Sequence, residues 1–167
     1  MEPEAFLLPP SGAMPNNPWL PVLVYRGAVS AGTHDRADAM EALFGRNGWP
    51  AQWRNGIFAY HHFHAEVHEV LGIAAGGTEV LLGGPEGRLI SVAAGDVLVL
   101  PAGTGHRNMT PGTNLLTVGA YPPGAVCDVR RDALPFTEVE RMRAVPFPAS
   151  DPVTGRSGAL PRLWKVG

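Results

Sequence analysis

The sequence reads as an all-β protein built from many short strands. From Trp53 onward, Val-, Ile- and Leu-rich runs of roughly four to eight residues alternate with turn signals. The signals are Gly76-Gly77, Gly83-Gly84-Pro85-Glu86-Gly87, Ala94-Gly95 and Pro111-Gly112, and each supplies the backbone freedom or fixed φ of a tight turn. The 21 glycines and 17 prolines are close to twice the usual share of about 12%, and they lie between the apolar runs rather than in one low-complexity tract. That distribution indicates turns and argues against disorder. With 167 residues and 45% hydrophobic content, the chain is long enough to bury one core without covalent staples.

The elements follow in order. Residues 1 to 20, with Pro9, Pro10, Pro15 and Pro18 among two asparagines, read as an irregular arm, and Pro21 to Tyr25 as an edge strand. One helix comes next. Thr33 or Asp35 can cap it, Met40, Leu43 and Phe44 form an apolar stripe at helical spacing, and Gly45 or Gly48 closes it. Strands are expected near Ile57 to His64, His68 to Ala75, Thr78 to Leu82, Arg88 to Val92, Asp96 to Leu100, His106 to Met109 and Asn114 to Tyr121. Regular strands at this spacing imply a sandwich or barrel. After Tyr121-Pro122-Pro123 the pattern gives way to an irregular tail, with a short helix at Thr137 to Arg143 and a loop at Asp151 to Gly158. Leu163-Trp164 is apolar enough to dock back on the body. No internal repeat is present.

Composition excludes several function classes. The formal net charge is −2 and the basic residues are scattered, so the chain has no electrostatic footprint for nucleic acid or an anionic membrane. Cys127 is the single cysteine, which rules out an internal disulfide, and it reads as a buried structural thiol. The acidic start Met1-Glu-Pro-Glu and the brief Ala5-Phe-Leu-Leu8 do not make a secretion signal, and no apolar run approaches the roughly 20 residues of a membrane span. A cytoplasmic protein is expected.

Four potential metal ligands stand in two groups, His62-x-His64-x4-Glu69 and His106. Strand side chains alternate, so His62 and His64 project to one face and their imidazoles can converge. Glu69 has the wrong parity for one continuous strand, which calls for a turn or bulge at Ala65-Glu66-Val67. His61 and His68 have the opposite parity to their neighbours and should face away. His34 reads as surface polar or capping.

These residues carry a family resemblance. Gly56-x5-His62-x-His64-x4-Glu69-x6-Gly76 resembles the first cupin motif at each marked position, and Gly95-x5-Pro101-x-Gly103-x2-His106 the second. The second departs only at its last position, where Thr110 stands for the family's usual Asn, with Asn108 nearby at the parity of His106. More broadly, Trp53 to Ile57, Tyr60 to His64, His68 to Gly72 and Gly119 to Pro122 look like the YjlB-type bacterial cupins. The resemblance implies a double-stranded β-helix, a jelly-roll barrel of roughly six to eight strands. The arm, edge strand and helix (1–52) and the tail (122–167) would then pack on a barrel core at 53–121 as one structural domain.

The resemblance implies that His62, His64, Glu69 and His106 hold a divalent transition metal, and three imidazoles with one carboxylate suit Fe, Mn, Ni or Zn. Four protein ligands in an octahedron would leave two positions for water, dioxygen or a chelating substrate. Function then divides between a metal-dependent enzyme on a small polar organic substrate, a dioxygenase ahead of an isomerase or decarboxylase, and a noncatalytic binding or structural cupin. No general base is assignable. By parity Phe58 and Tyr60 should share the face of His62, with Leu71, Ile73 and Ala75 lining the same interior, and Tyr60, Phe58, Asn108 and Tyr121 are the candidates for contacting a substrate. The arm and an apolar outward face at Val70 and Ala74 suggest a homodimer.

Overall fold

The chain alternates two short arm and edge strands, a helix, and then strand after strand to residue 120. In a computed structural model that describes residues 1–165, these are β1 (Glu4–Phe6), β2 (Val22–Tyr25), α1 (Arg36–Arg46), β3 (Ala51–Asn55), β4 (Glu69–Ala75) and β5 (Gly77–Leu82). The second half holds β6 (Arg88–Ala93), β7 (Val97–Leu100), β8 (His106–Asn108), β9 (Leu116–Ala120), α2 (Phe136–Arg143) and α3 (Ala159–Leu163). Two antiparallel sheets form, one of six strands in the order β1-β2-β7-β4-β9-β3 and one of three in the order β6-β5-β8. The sheets have free edges among the described strands, so the architecture is that of a β-sandwich and not a closed barrel.

Strand alternation explains how the layers stack. Val22, Val24, Leu71, Ile73, Leu98 and Leu100 of the large sheet meet Val80, Leu82, Ile90 and Val92 of the small one in the inner core. The small sheet buries alternate residues and leaves the others wet, as a one-sided antiparallel sheet does. The central strands β2, β4 and β7 are buried on both faces, because their other side chains, among them Leu23, Tyr25, Val70, Ala74, Val97 and Val99, pack beneath α1 and the tail.

Helix α1 starts where Asp35 accepts the amide of Asp38, and it buries Ala37, Met40, Leu43 and Phe44 against that outer face. Burial of Met40 and Phe44 contributes about 2 kcal/mol each, and tertiary packing of this kind, rather than propensity, holds a helix this short. Gly72 makes the seat possible: a Cβ there would lie 2.7 Å from Met40 Sδ and 2.9 Å from Phe44 Cζ. The tail completes the cover. Trp164 is buried and its indole donates to the Pro21 carbonyl at 2.9 Å, whereas Leu163 remains exposed.

Several expectations are corrected here. The Val70 and Ala74 face, expected to point outward, is covered by α1 and the tail. Strand β1 lies inside the supposedly irregular arm, and α3 follows the supposed loop with Pro161 in its first turn, where no amide is needed. The expected strand from Ile57 to His64 forms no ladder: it bends at Ala59-Tyr60, makes isolated bridges at His62 and Phe63, and its Phe58 and His64 carbonyls accept the amides of Asn108 and Gly103. Among the described residues no helix is long and apolar enough to cross a membrane.

Candidate metal centre

The two bridges place the histidines. His62 and His106 exchange backbone hydrogen bonds at 3.3 and 2.9 Å, and Phe63 and Arg130 exchange a pair at 2.9 Å each. Alternation survives without a ladder: Phe63 turns into a small core with Met14, Ala65, Ala102 and Met142, while His62 and His64 turn to the opposite side. The chain then bends at Ala65-Glu66, where the Asp128 carboxylate accepts both amides, at 3.0 and 2.9 Å. That bend resets the parity, and Glu69, the first residue of β4, faces the histidines.

Each imidazole is anchored by its Nδ1. Nδ1 of His62 lies 3.0 Å from the Tyr60 carbonyl, that of His106 lies 3.0 Å from the Thr104 carbonyl, and that of His64 contacts the Asp128 carbonyl. A carbonyl only accepts, so Nδ1 carries the proton and Nε2 presents its lone pair. One ligand atom from each of the three buried rings falls within 4.8 Å of the others. His62, His64 and His106 can therefore hold a metal ion.

Glu69 adjoins two of the three rings. Its Oε1 lies 3.2 Å from His64 Nε2 and 3.3 Å from His106 Nε2, yet neither carboxylate oxygen has a hydrogen-bond donor, and the side chain is 2% exposed. A buried carboxylate facing imidazole lone pairs is costly unless a cation stands between them. Without a metal, the available relief is a proton on His64 Nε2. Burial alone would push the His64 pKa down, but the Glu69 charge overrides it and holds the imidazolium up to about 11. Burial works against ionised Glu69 as well, and the facing His64 cation keeps its pKa well below the usual carboxylate range. His62 goes the other way: burial and then the neighbouring His106 push it down to about 3, which keeps it neutral and ready to ligate.

The cluster lies in a cavity of about 340 Å³ walled by Trp53, Ile57, Phe58, Leu71 and Val129. Of the residues expected to contact a substrate, Phe58 and Tyr121 line it. Tyr60 does not reach the wall. Its ring stacks on Phe58 at 4.9 Å and lies under the Arg131 guanidinium in a neighbouring groove. Asn108 is held away by Thr78 Oγ1 at 2.5 Å and the Thr110 amide at 3.1 Å, so Asn108 and Thr110 share one hydrogen-bond network. Ile73 belongs to the inner core, and Ala75 lies at the end of β4 rather than in the cavity wall.

His61 and His68 both lie outside the cluster. His68 is buried against Trp164 and accepts the Ala102 amide at 2.9 Å. Cys127 is not the buried structural thiol expected. It is half-buried, lines the cavity and brings Sγ to 3.3 Å from His64 Nδ1. Sequence reasoning also missed Trp53 and Asp128. Trp53 pairs with Gly119, where a Cβ would lie 2.0 Å from the indole, and it donates from Nε1 to the Tyr121 hydroxyl at 2.8 Å. The lone glycine in the Val118-Gly119-Ala120 run was the available sign of such close approach.

No protein-family model matches the chain. It is 32% identical over 165 residues to a Bacillus subtilis (strain 168) protein named "Uncharacterized protein YjlB", covering 98% of this chain and 97% of that one. The chain belongs to the YjlB family. Because the YjlB alignment is nearly end to end, it takes in the arm, both sheets and the tail that supplies Asp128 and Cys127.

Proposed function

We propose that this YjlB-family chain is a cupin with a jelly-roll fold whose His62, His64, Glu69 and His106 hold one divalent transition metal ion, and that it is an enzyme of dioxygenase type acting on a small polar organic substrate. The observation that carries the proposal is the orphaned Glu69 carboxylate, buried against the Nε2 atoms of His64 and His106, whose protons are committed to Nδ1. A cation held by the three imidazoles would also balance the adjoining carboxylate, and this N3O set suits Fe, Mn, Ni or Zn. Bound there, the ion would supply Lewis acidity and, if iron, redox chemistry with dioxygen. The chain's own contribution is to hold the imidazoles in one tautomer, to exclude bulk water with the walls at Trp53, Ile57, Phe58 and Leu71, and to orient a substrate from Tyr121.

A second reading, a noncatalytic ligand-binding cupin, is favoured by one observation. Apart from the four proposed ligands, the only titratable groups lining the cavity among the described residues are Tyr121 and Cys127, so none of these supplies a carboxylate or free histidine as a general base. Oxygen uptake by the anaerobically reconstituted Fe(II) form, run against diketones, catechols, thiols and hydroxy acids, separates the two. Uptake with one of these classes supports the enzyme. Thermal stabilisation by a compound without uptake supports the binder.

A further inference from the structure

The lining of the metal cavity restricts the charge and shape of what enters it. Among the described residues that line it there is no lysine and no arginine, and Glu69 is the one carboxylate. With three neutral imidazoles, a divalent ion and Glu69 leave one net positive charge. A singly charged anion neutralises that charge, whereas a second negative charge would be buried without a partner, at a cost of several kcal/mol in real proteins. The cavity, about 340 Å³, is at the small end of the roughly 300–1,000 Å³ typical of ligand sites, and its walls are aromatic and aliphatic.

Tyr121 adds direction. The Trp53 indole can only donate, so at 2.8 Å it fixes the Tyr121 oxygen as its acceptor and leaves the phenol's own proton to point elsewhere. Gly119 keeps the indole in place, since any side chain there would collide with it. The phenol is thus a preset donor beside the histidine cluster, its ring 6.3 Å from that of His64.

We infer that the cavity selects a small, singly charged, oxygen-chelating organic anion with an apolar body, oriented by a hydrogen bond donated from Tyr121. This rests on the metal-centre reading proposed above. It excludes phosphorylated compounds and dicarboxylates, for which the wall offers no cation.

The test uses the zinc-loaded full chain, with zinc content measured before and after titration. Tropolone, a singly charged oxygen chelator with an apolar ring, is compared calorimetrically with oxalate, a doubly charged chelator without one. Each affinity is divided by that chelator's affinity for free zinc. The expected result is at least a tenfold preference for tropolone, with Tyr121→Phe weakening tropolone at least about tenfold, the lower end for a hydrogen bond to a charged group, at unchanged zinc content. Val129→Arg, at the half-exposed mouth, is expected to raise oxalate affinity about tenfold by supplying the missing cation. Equal normalised affinities, or a Tyr121→Phe protein that binds tropolone as the wild type does, would overturn the inference while leaving the metal centre standing. A wild-type chain that retains no zinc would overturn the metal-centre reading itself.

Discussion

Asp128 holds His64 from two sides, although 64 residues separate them: its backbone carbonyl receives the imidazole Nδ1, and its carboxylate accepts the amides of Ala65 and Glu66 that follow the histidine. The tail therefore aims a residue of the segment that leads into β4. Asp128→Ala keeps the carbonyl but frees the bend, and is expected to weaken zinc binding about 10- to 100-fold, the usual effect of losing a partner that orients a ligand. Competition against a chromogenic chelator measures it. Asp128→Asn, which retains one acceptor oxygen, should fall between the two, and wild-type affinity in Asp128→Ala would refute this role.

His68 makes the fold sensitive to acid. Burial pushes its pKa from 6.5 to about 4 against a smaller upward pull from the Val145 and Pro146 carbonyls, and its Nδ1 must stay unprotonated to accept the Ala102 amide. Because the folded value lies below the unfolded one, stability is full above pH 6.5 and is lost as pH falls toward 4. The loss is about 3 kcal/mol at roughly 1.4 kcal/mol per pKa unit. Urea midpoints taken across that window should fall less steeply in His68→Asn, which has no titrating ring. Parallel curves would show that other groups carry the acid sensitivity.

Gly119→Ala is expected to cost about 1–3 kcal/mol, because its Cβ would lie 2.0 Å from Trp53 Cε2 and a rigid indole cannot give way without moving the β3 edge. The displaced indole also releases the Tyr121 hydroxyl. Urea unfolding reports the first effect, and a shift in tryptophan emission the second. An unchanged midpoint would mean that the sheet edge yields freely.

The parts of this fold that were legible in the sequence are those with a local period. Strands β5 and β6 alternate, β4, β7 and β9 are apolar runs bounded by turn signals, helix α1 carries a helical stripe, and the ends differ from expectation by a few residues. Strand β1, three residues with two of them exposed, and α3, five residues, are too short and too little buried in pattern to display a period of their own. The segment at 57–64 carried strand composition but found no ladder partner, and what survived was the alternation that sends His62 and His64 to one side of it.

The site was legible in its ligands and not in its supports. Histidines at strand spacing announce themselves, and the parity break before Glu69 pointed to the bend at Ala65-Glu66. Asp128 and Cys127 reach the cavity from a tail without pattern, so nothing local marks them. The outward exposure expected of Val70 and Ala74 was not found, for a related reason. Apolar residues on both faces of β4 signal two covers, and the sequence does not say whether the second is a partner subunit or the chain's own helix and tail.

The most direct test of the central claim is elemental analysis of protein purified without a metal-affinity step or chelator, comparing wild type with His62→Ala and Glu69→Ala. Near-stoichiometric iron, manganese, nickel or zinc in the wild type, lost in both variants, is the predicted result. A wild-type chain that stays empty after anaerobic reconstitution with Fe(II), Mn(II) and Zn(II) would contradict it, and would leave the buried Glu69 carboxylate to be balanced by a protonated His64 alone.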